Sequence, residues 1–430
     1  MRLVFDLESD GLLNQATRIH CIVAKDLDTG TLHKFEPSQV EQGLRLLMQA
    51  DMLIGHNVIG FDIALASKLY PWFHAHRDQV RDTLILSRLL YPDLSDRDRK
   101  PGSLIEGRLT GSHSLKAWGQ RLRFPKAEYE GGWESYSEEM LAYNVVDVEV
   151  TDRLQQLLFG NAAYSERASI LEHEVAHIIA QQEQYGFCFN EPAAGKLTAT
   201  LLTRRAVLES ELQDTFQPWL VEETFIPKVN NSTRGYVKGE PFIKSHTVVF
   251  NPGSRHQIAD RLNAIHGWKP KVFTPDGSAK IDEEVLAQLP YPEAKLLAEY
   301  FLVQKRLGML AEGKGAWMKA VRKGRVHGEV ITNGAVTGRA THRSPNISQV
   351  PSVGSPYGKE CRALFTASPH RTLVGVDVSG LELRMLAHFM ARYDKGKYAK
   401  EVVEGDVHTA NQQAAGLPTR NDAKTFISMG

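Results

Sequence analysis

The chain has 430 residues, 42% of them hydrophobic and 24% charged, with a formal net charge of zero. That length predicts about two to four domains. The balanced charge excludes a wholly basic DNA-coating protein but not an enzyme with a local basic channel. No run of about 18 apolar residues occurs, so no membrane span is expected. The N-terminus lacks a basic stretch ahead of an apolar core, so no secretory signal is expected either. Cys21, Cys188 and Cys361 are scattered, form no C-x-x-C pair, and read as reduced, structural thiols of a cytoplasmic protein.

In chain order, "RLVFDLE" and "IHCIVAKD" are short β-branched, apolar runs around a turn-like stretch containing Gly11 and Asn14. "FDIALASKL" reads as a helix. "SEEMLAYNVVDVEVTDRLQQLL" reads as another, with Ser135 and Glu138 spaced as a capping box. "SERASILEHEVAHIIAQQEQYG" carries Leu171, Val175, Ile178 and Ile179 at helical spacing and stops at Gly186. A long helix with Pro192 near its start follows. Residues 221–250, with Lys228, Arg234, Lys238 and Lys244, read as an irregular, mobile, cationic loop. Beyond 325, short strands ("VHGEVI", "RTLVGVDVS") precede the helix "GLELRMLAHFMARY". The plan is α/β, then helical, then α/β again.

Four acids carry the first chemistry. Asp6 and Glu8 are two apart on the first strand, so they share a face. Asp62 opens a helix, and Asp147 lies on another helix with Tyr143 one turn before it. Acids brought together without cations repel, and a pair of divalent ions relieves that repulsion while activating water for in-line displacement at phosphorus. Oxygen ligands suit Mg²⁺ or Mn²⁺. A lone D-x-E is common by chance, and an Asp early in a helix often only favours the helix dipole. The ordered set "FDLE", "HNVIGFD" and "YNVVD" is more specific. It resembles the three motifs of the DEDD-type 3′→5′ exonucleases. That resemblance implies a ribonuclease H-like domain in which Asp6, Glu8, Asp62 and Asp147 hold two metal ions. It makes Tyr143 the residue that orients the attacking water, with Asn57 and Phe61 against a single-stranded 3′ end.

Further stretches, "DTLILSRLL", "GSHSLKAWGQRL", "FNPGSR", "NGAVTGRATH", "SPNISQVP", "SPYGKECRALF", "VGVDVSGLELR" and "GDVHTANQQAAGLPTRNDAKTF", follow along the chain. Their order resembles the family A, DNA polymerase I-type enzymes, and further the replicative polymerases of T-seven-like short-tailed bacteriophages, over nearly the whole chain, from residue 1 to about 427. The resemblance implies that Asp377, at the end of an apolar strand, binds both polymerase metals and that Glu382 is the gate against a ribose 2′ hydroxyl. Arg420 and Lys424 would grip the triphosphate of an incoming dNTP, with His408 beside them. Arg339, Asn346 and Gln349 would lie near the primer–template duplex. Arg255 and the Lys305–Arg306 pair would meet phosphates from the thumb, or form an ordinary solvated surface.

The family pattern continues past the Lys with a Tyr, and later with a His-Asp-Glu motif, and neither is in this sequence. The expectation is therefore an intact proofreading exonuclease with an incomplete polymerase that extends DNA only with a second, C-terminal fragment, through an intron, a split gene or a frameshift. A stand-alone exonuclease and a non-catalytic DNA-binding remnant are the alternatives. The expected boundaries are 1–160 exonuclease, 161–190 connecting helix, 191–324 thumb, 325–400 partial palm and 401–430 the start of the fingers. The resemblance places the protein in the cytoplasm of a bacterial host. Host thioredoxin, which one relative binds through a long basic thumb insertion, is not expected as a partner because residues 221–246 are short. Lysines and arginines in that stretch could still follow a DNA backbone.

Overall fold

A computed structural model describes all residues except 106, 125–128, 275–276, 421 and 424–430. It divides into two compact units, Met1–Thr366 and Ala367–Gly430. The division falls inside the stretch expected to form the palm.

In the first unit, β1 (Arg2–Ser9), β2 (Ile19–Asp26), β3 (Leu32–Phe35), β4 (Met52–Gly55) and β5 (Val80–Asp82) form one sheet in the order β3-β2-β1-β4-β5. β1, β2 and β3 pair antiparallel, whereas β4 and β5 run parallel to β1. Strand alternation decides what each face carries. Leu3, Phe5 and Leu7 pack with Val40, Leu44 and Leu47 of the helix Val40–Met48 and with Leu65 of the helix Asp62–Leu69. Val4 points the other way, into a cluster with Cys21, Ile54, Met140 and Val148. Asp6 and Glu8 share the parity of Val4, so they rise toward the helix Glu138–Phe159, which covers that face. Its cap is Ser137, whose hydroxyl accepts from Met140 N, rather than Ser135. Ser137 is the residue whose extended backbone lets its side chain turn back onto the first helical turn.

The helix Glu166–Tyr185 ends at Gly186 as the spacing predicts, but its buried face differs. Leu171, Val175 and Ile178 are exposed. Ser169 and His173 are buried, and Ala176 and Ala180 pack on the sheet's core. Small side chains permit this close approach, and His173 is held by two hydrogen bonds. Its Nε2 accepts from Asp82 N at 2.6 Å, and its Nδ1 donates to Ser169 O at 2.7 Å. Burial lowers the His173 pKa from 6.5 to about 4. A histidine kept neutral in the fold contributes its full share of stability above pH 6.5 and loses it as pH falls toward 4, about 3 kcal/mol at the limit. His173→Gln keeps an acceptor without that titration. Urea midpoints measured from pH 7 to 4.5 are expected to fall less steeply in this variant than in the parent.

Beyond Gly186, β6 (Phe187–Phe189) joins β9 (Val321–Arg322), β10 (Arg325–Val326) and β13 (Phe365–Thr366) in a small sheet of order β13-β6-β10-β9. The helices Glu191–Thr215 and Pro292–Leu307 share a core that includes Leu201, Leu208, Leu297, Val303 and Leu307, with Arg204 bonded at 2.7 Å to both Glu299 oxygens. Between these helices, the expected irregular loop is instead a hairpin of β7 (Trp219–Phe225) and β8 (Phe242–Val248). Lys244 sits 3.8 Å from the centroid of the Phe225 ring. Alternation in "WLVEETF" and "FIKSHTV" supplies the strands. A second hairpin pairs β11 (Glu329–Ile331) with β12 (Thr341–Arg343).

The second unit holds the helices Leu381–Asp394, Lys397–Glu404 and Val407–Ala415. Its first stretch corrects the sequence reading. Residues 371–379 form no strand, and Val376 is 89% exposed. A strand-like pattern becomes a strand only when another strand pairs with it, and none among the described residues does. Cys21 and Cys361 are buried and Cys188 is half-buried, and no disulfide joins them. Among the described residues no helix is long and apolar enough to cross a membrane.

Candidate metal centre and nucleic-acid site

Asp6 and Glu8 of β1 meet Asp147 of the helix Glu138–Phe159, each offering a carboxylate oxygen within 4.8 Å of the others. Asp62 stands apart from this trio but is tied to the same strand, where its Oδ1 accepts from Leu7 N at 3.2 Å. Burial pushes its pKa up to about 7, and the charges of Asp82 and Asp147 add to the rise. Tyr143 precedes Asp147 by one turn. Its ring centroid lies 5.6 Å from that of Tyr129 and 6.2 Å from that of Trp133. Those two rings pack edge to face at 4.9 Å, and the Trp133 carbonyl lies 2.9 Å from His20 Nε2. An aromatic wall thus stands around Tyr143.

Two supporting residues escaped the sequence reading. Asn144 is fully buried, and its Nδ2 donates to Asp6 Oδ2 at 3.2 Å. Its i, i+3 relation to Asp147 was the available signal. Asp82 is only 1% exposed and accepts three backbone N–H groups, from Asn57 at 2.8 Å, Leu84 at 2.9 Å and Ile59 at 3.1 Å. It therefore both caps the helix Thr83–Leu90 and shapes the loop before Asp62. In that loop Asn57 has a φ of 66° and is exposed, whereas Phe61 packs against the core.

The other predicted residues are dispersed. Arg255 is exposed, with its Nε donating to Ile281 O at 2.9 Å. Arg306 is buried and donates to Pro356 O, so it faces the protein rather than a phosphate. Arg339 lies exposed in the turn between β11 and β12. Asn346 Oδ1 accepts from Ser348 Oγ at 2.7 Å, and Gln349 closes the short turn Ile347–Gln349. In the second unit Asp377 is exposed in the irregular stretch, and Glu382 is exposed in the first turn of its helix. His408 N and Thr409 N donate to Asp406 Oδ1. Arg420 grips the same carboxylate, Nε to Oδ2 at 2.9 Å and Nη2 to Oδ1 at 3.1 Å, which holds the Asp406 carboxyl well below the usual range. Lys424 lies outside the described residues.

A family model described as DNA polymerase family A matches residues 237–424. A DNA-directed DNA polymerase of Enterobacteria phage T3 is 37% identical over 527 aligned positions, covering 99% of this chain and 74% of the relative. One of Escherichia phage T7 has the same identity and coverage. The aligned span is longer than this chain, so these relatives carry insertions that the chain lacks. A DNA polymerase I of Chloroflexus aurantiacus is 32% identical over 173 residues, covering 37% of this chain and 17% of that protein. Among solved structures, the POL domain of Pol1 from M. smegmatis in complex with DNA primer-template and dNTP aligns with a TM-score of 0.64 and 16% identity. That alignment covers 99% of this chain and 67% of the other, a likeness of fold. These likenesses define an enzyme of the DNA-directed DNA polymerase class. Within it, the chain belongs to the family A DNA polymerases, as its motifs imply.

Proposed function

We propose that this family A polymerase, acting in phage DNA replication inside a bacterial host, carries in residues 1–160 a ribonuclease H-like 3′→5′ exonuclease that removes nucleotides from a single-stranded DNA end. The convergence of Asp6, Glu8 and Asp147 carries the reading. The donor set fits divalent metal ions. It is all carboxylate, it is packed closely enough to repel, and buried Asp62 feels the charge of Asp147. Asp6, Glu8, Asp62 and Asp147 would hold two Mg²⁺ or Mn²⁺ ions. Bound there, such ions supply a lowered pKa for the attacking water and charge stabilisation for the phosphodiester.

The chain's own side chains supply the rest. Tyr143, braced by Tyr129 and Trp133, orients a water toward phosphorus. Asn144 fixes the Asp6 carboxylate, and Asp82 holds Asn57 against the strand end. Water adds to phosphorus as the bond to the 3′ oxygen of the penultimate nucleotide breaks. The products are a 5′-mononucleotide and a strand one residue shorter.

For the polymerase reaction, primer–template DNA and dNTP are the substrates this reading assigns. Asp377 is the metal-binding carboxylate and Glu382 the sugar gate. Arg420, His408 and Lys424 serve the triphosphate, and Arg255, Arg339, Asn346 and Gln349 the duplex. Use of Arg420 requires it to leave Asp406. The test of the exonuclease is chromatography of products from dT10: chelator-sensitive release of 5′-dTMP supports it, and internal fragments overturn it.

A further inference from the structure

His20 is a buried histidine that the chemistry above leaves unused. It is 2% exposed and lies near the start of β2, beside the strand that carries Asp6 and Glu8. The pairing of β1 with β2 shifts at this point. Glu8 faces Cys21 and Ser9 faces Ile19, so His20 is the extra residue of a bulge. A bulge re-aims a side chain that strict alternation would place elsewhere. Ile22 and Ala24 point into the core that holds Leu65, whereas Cys21 and Val23 point toward Met140 and Val148 of the covering helix. Alternation alone would send His20 the way of Ile22. Ile19 occupies that core instead, and the His20 ring meets Trp133, whose carbonyl oxygen lies 2.9 Å from Nε2. A carbonyl oxygen only accepts, so Nε2 carries the proton and donates.

Trp133 belongs to residues 129–137, a stretch with neither helix nor strand that contains Gly131 and Gly132. Glycines raise the entropy lost when such a segment is ordered. Tyr129 ties the stretch to itself and to the helix that follows. Its hydroxyl donates to Gly132 O at 3.0 Å and lies 3.3 Å from the Oγ of Ser137, the helix cap. The His20 bond joins the same stretch to the sheet. The two rings it carries, Tyr129 and Trp133, are the ones that flank Tyr143.

We propose that His20 is a positioning residue for the exonuclease. Its hydrogen bond seats the 129–137 loop on the sheet, and the loop's two rings fix Tyr143 where it orients the attacking water. The proposal rests on the exonuclease reading, in which Tyr143 has that role. His20 touches no reacting atom and acts through Trp133. A misplacement of about 1 Å at a group that sets the line of attack can cost about a hundredfold in rate, so one hydrogen bond outside the carboxylate trio is enough to be felt.

The test compares two amides at position 20 in the full chain, with kcat and KM measured on dT10 in Mg²⁺. The amide of His20→Asn stops near the place of the ring's Nδ1, short of the Trp133 carbonyl. His20→Gln is one methylene longer and brings an N–H to the place of Nε2. His20→Asn is expected to lower kcat about tenfold or more with KM little changed, and His20→Gln to recover most of it. In a Tyr143→Phe background His20→Asn is expected to cost little, because the hydroxyl it positions is gone. Hydrogen–deuterium exchange on the same proteins reads the loop without turnover. Peptides covering 129–137 should exchange faster in His20→Asn than in the parent or His20→Gln. An unchanged kcat in His20→Asn, an equal loss in both Tyr143 backgrounds, a His20→Gln as slow as His20→Asn, or unchanged exchange over 129–137 overturns the proposal. Failure of the parent to hydrolyse dT10 would sink the exonuclease reading itself, and exchange over 129–137 would still decide whether His20 seats the loop.

Discussion

Asp6→Ala is expected to lower 3′→5′ hydrolysis by about 10³-fold or more while leaving the melting temperature unchanged or slightly raised. The size follows from the way clustered catalytic groups act as a unit, so that removing one costs nearly as much as removing all. The stability result follows from electrostatics. Asp6 lies within 4.8 Å of two other carboxylates, and deleting one member of a like-charged trio removes repulsion. Asn144 loses its acceptor, which offsets part of that gain. Rate measured beside thermal melting separates the two effects. A variant that melts early would show that Asp6 holds the sheet together rather than serving the site.

Asp82→Ala should have the opposite signature, a stability loss of about 3–5 kcal/mol with activity lost through the loop. Three buried N–H groups would be left without acceptors, each costing roughly 1–3 kcal/mol before relaxation and water entry recover part of it. Only the ionised carboxylate suits all three donors, because a protonated oxygen would confront an N–H. Asp82→Asn retains one acceptor oxygen and turns the other into a donor facing an N–H. It should therefore fall between parent and alanine in urea-midpoint order. Equal midpoints for all three proteins would show that the 56–60 loop is held by something else.

The acids were legible because their signal is chemical as well as periodic. A strand that puts Asp6 and Glu8 on the parity of Val4 cannot bury them without a use, and Asp147 returns on the helix that covers the same face. Supporting residues were not legible, because Asp82 before Thr83 reads as an ordinary helix cap and nothing local shows that two N–H groups from 25 and 23 residues earlier also reach it. The helix from Glu166 misled for a related reason. Its apolar residues mark a face, but tight packing against the sheet selected Ser169, Ala176 and Ala180 for their size and His173 for its two hydrogen bonds. The β7–β8 hairpin was hidden by its polar tip, "IPKVNNSTRGYVKGEP", which outweighs seven-residue strands on either side. At 371–379 the error ran the other way, because "LVGVDVS" alternates like a strand although pairing is a tertiary matter that alternation alone does not supply.

We propose that this chain shortens DNA from a single-stranded 3′ end using Asp6, Glu8, Asp62 and Asp147. The direct measurement follows a 5′-labelled single strand by denaturing gel, with the parent chain in Mg²⁺, the same in chelator, and Asp6→Ala in Mg²⁺. We expect a descending single-nucleotide ladder in the first reaction and an intact strand in the other two. An intact strand in all three, or an equal ladder from Asp6→Ala, would contradict the assignment of these four carboxylates.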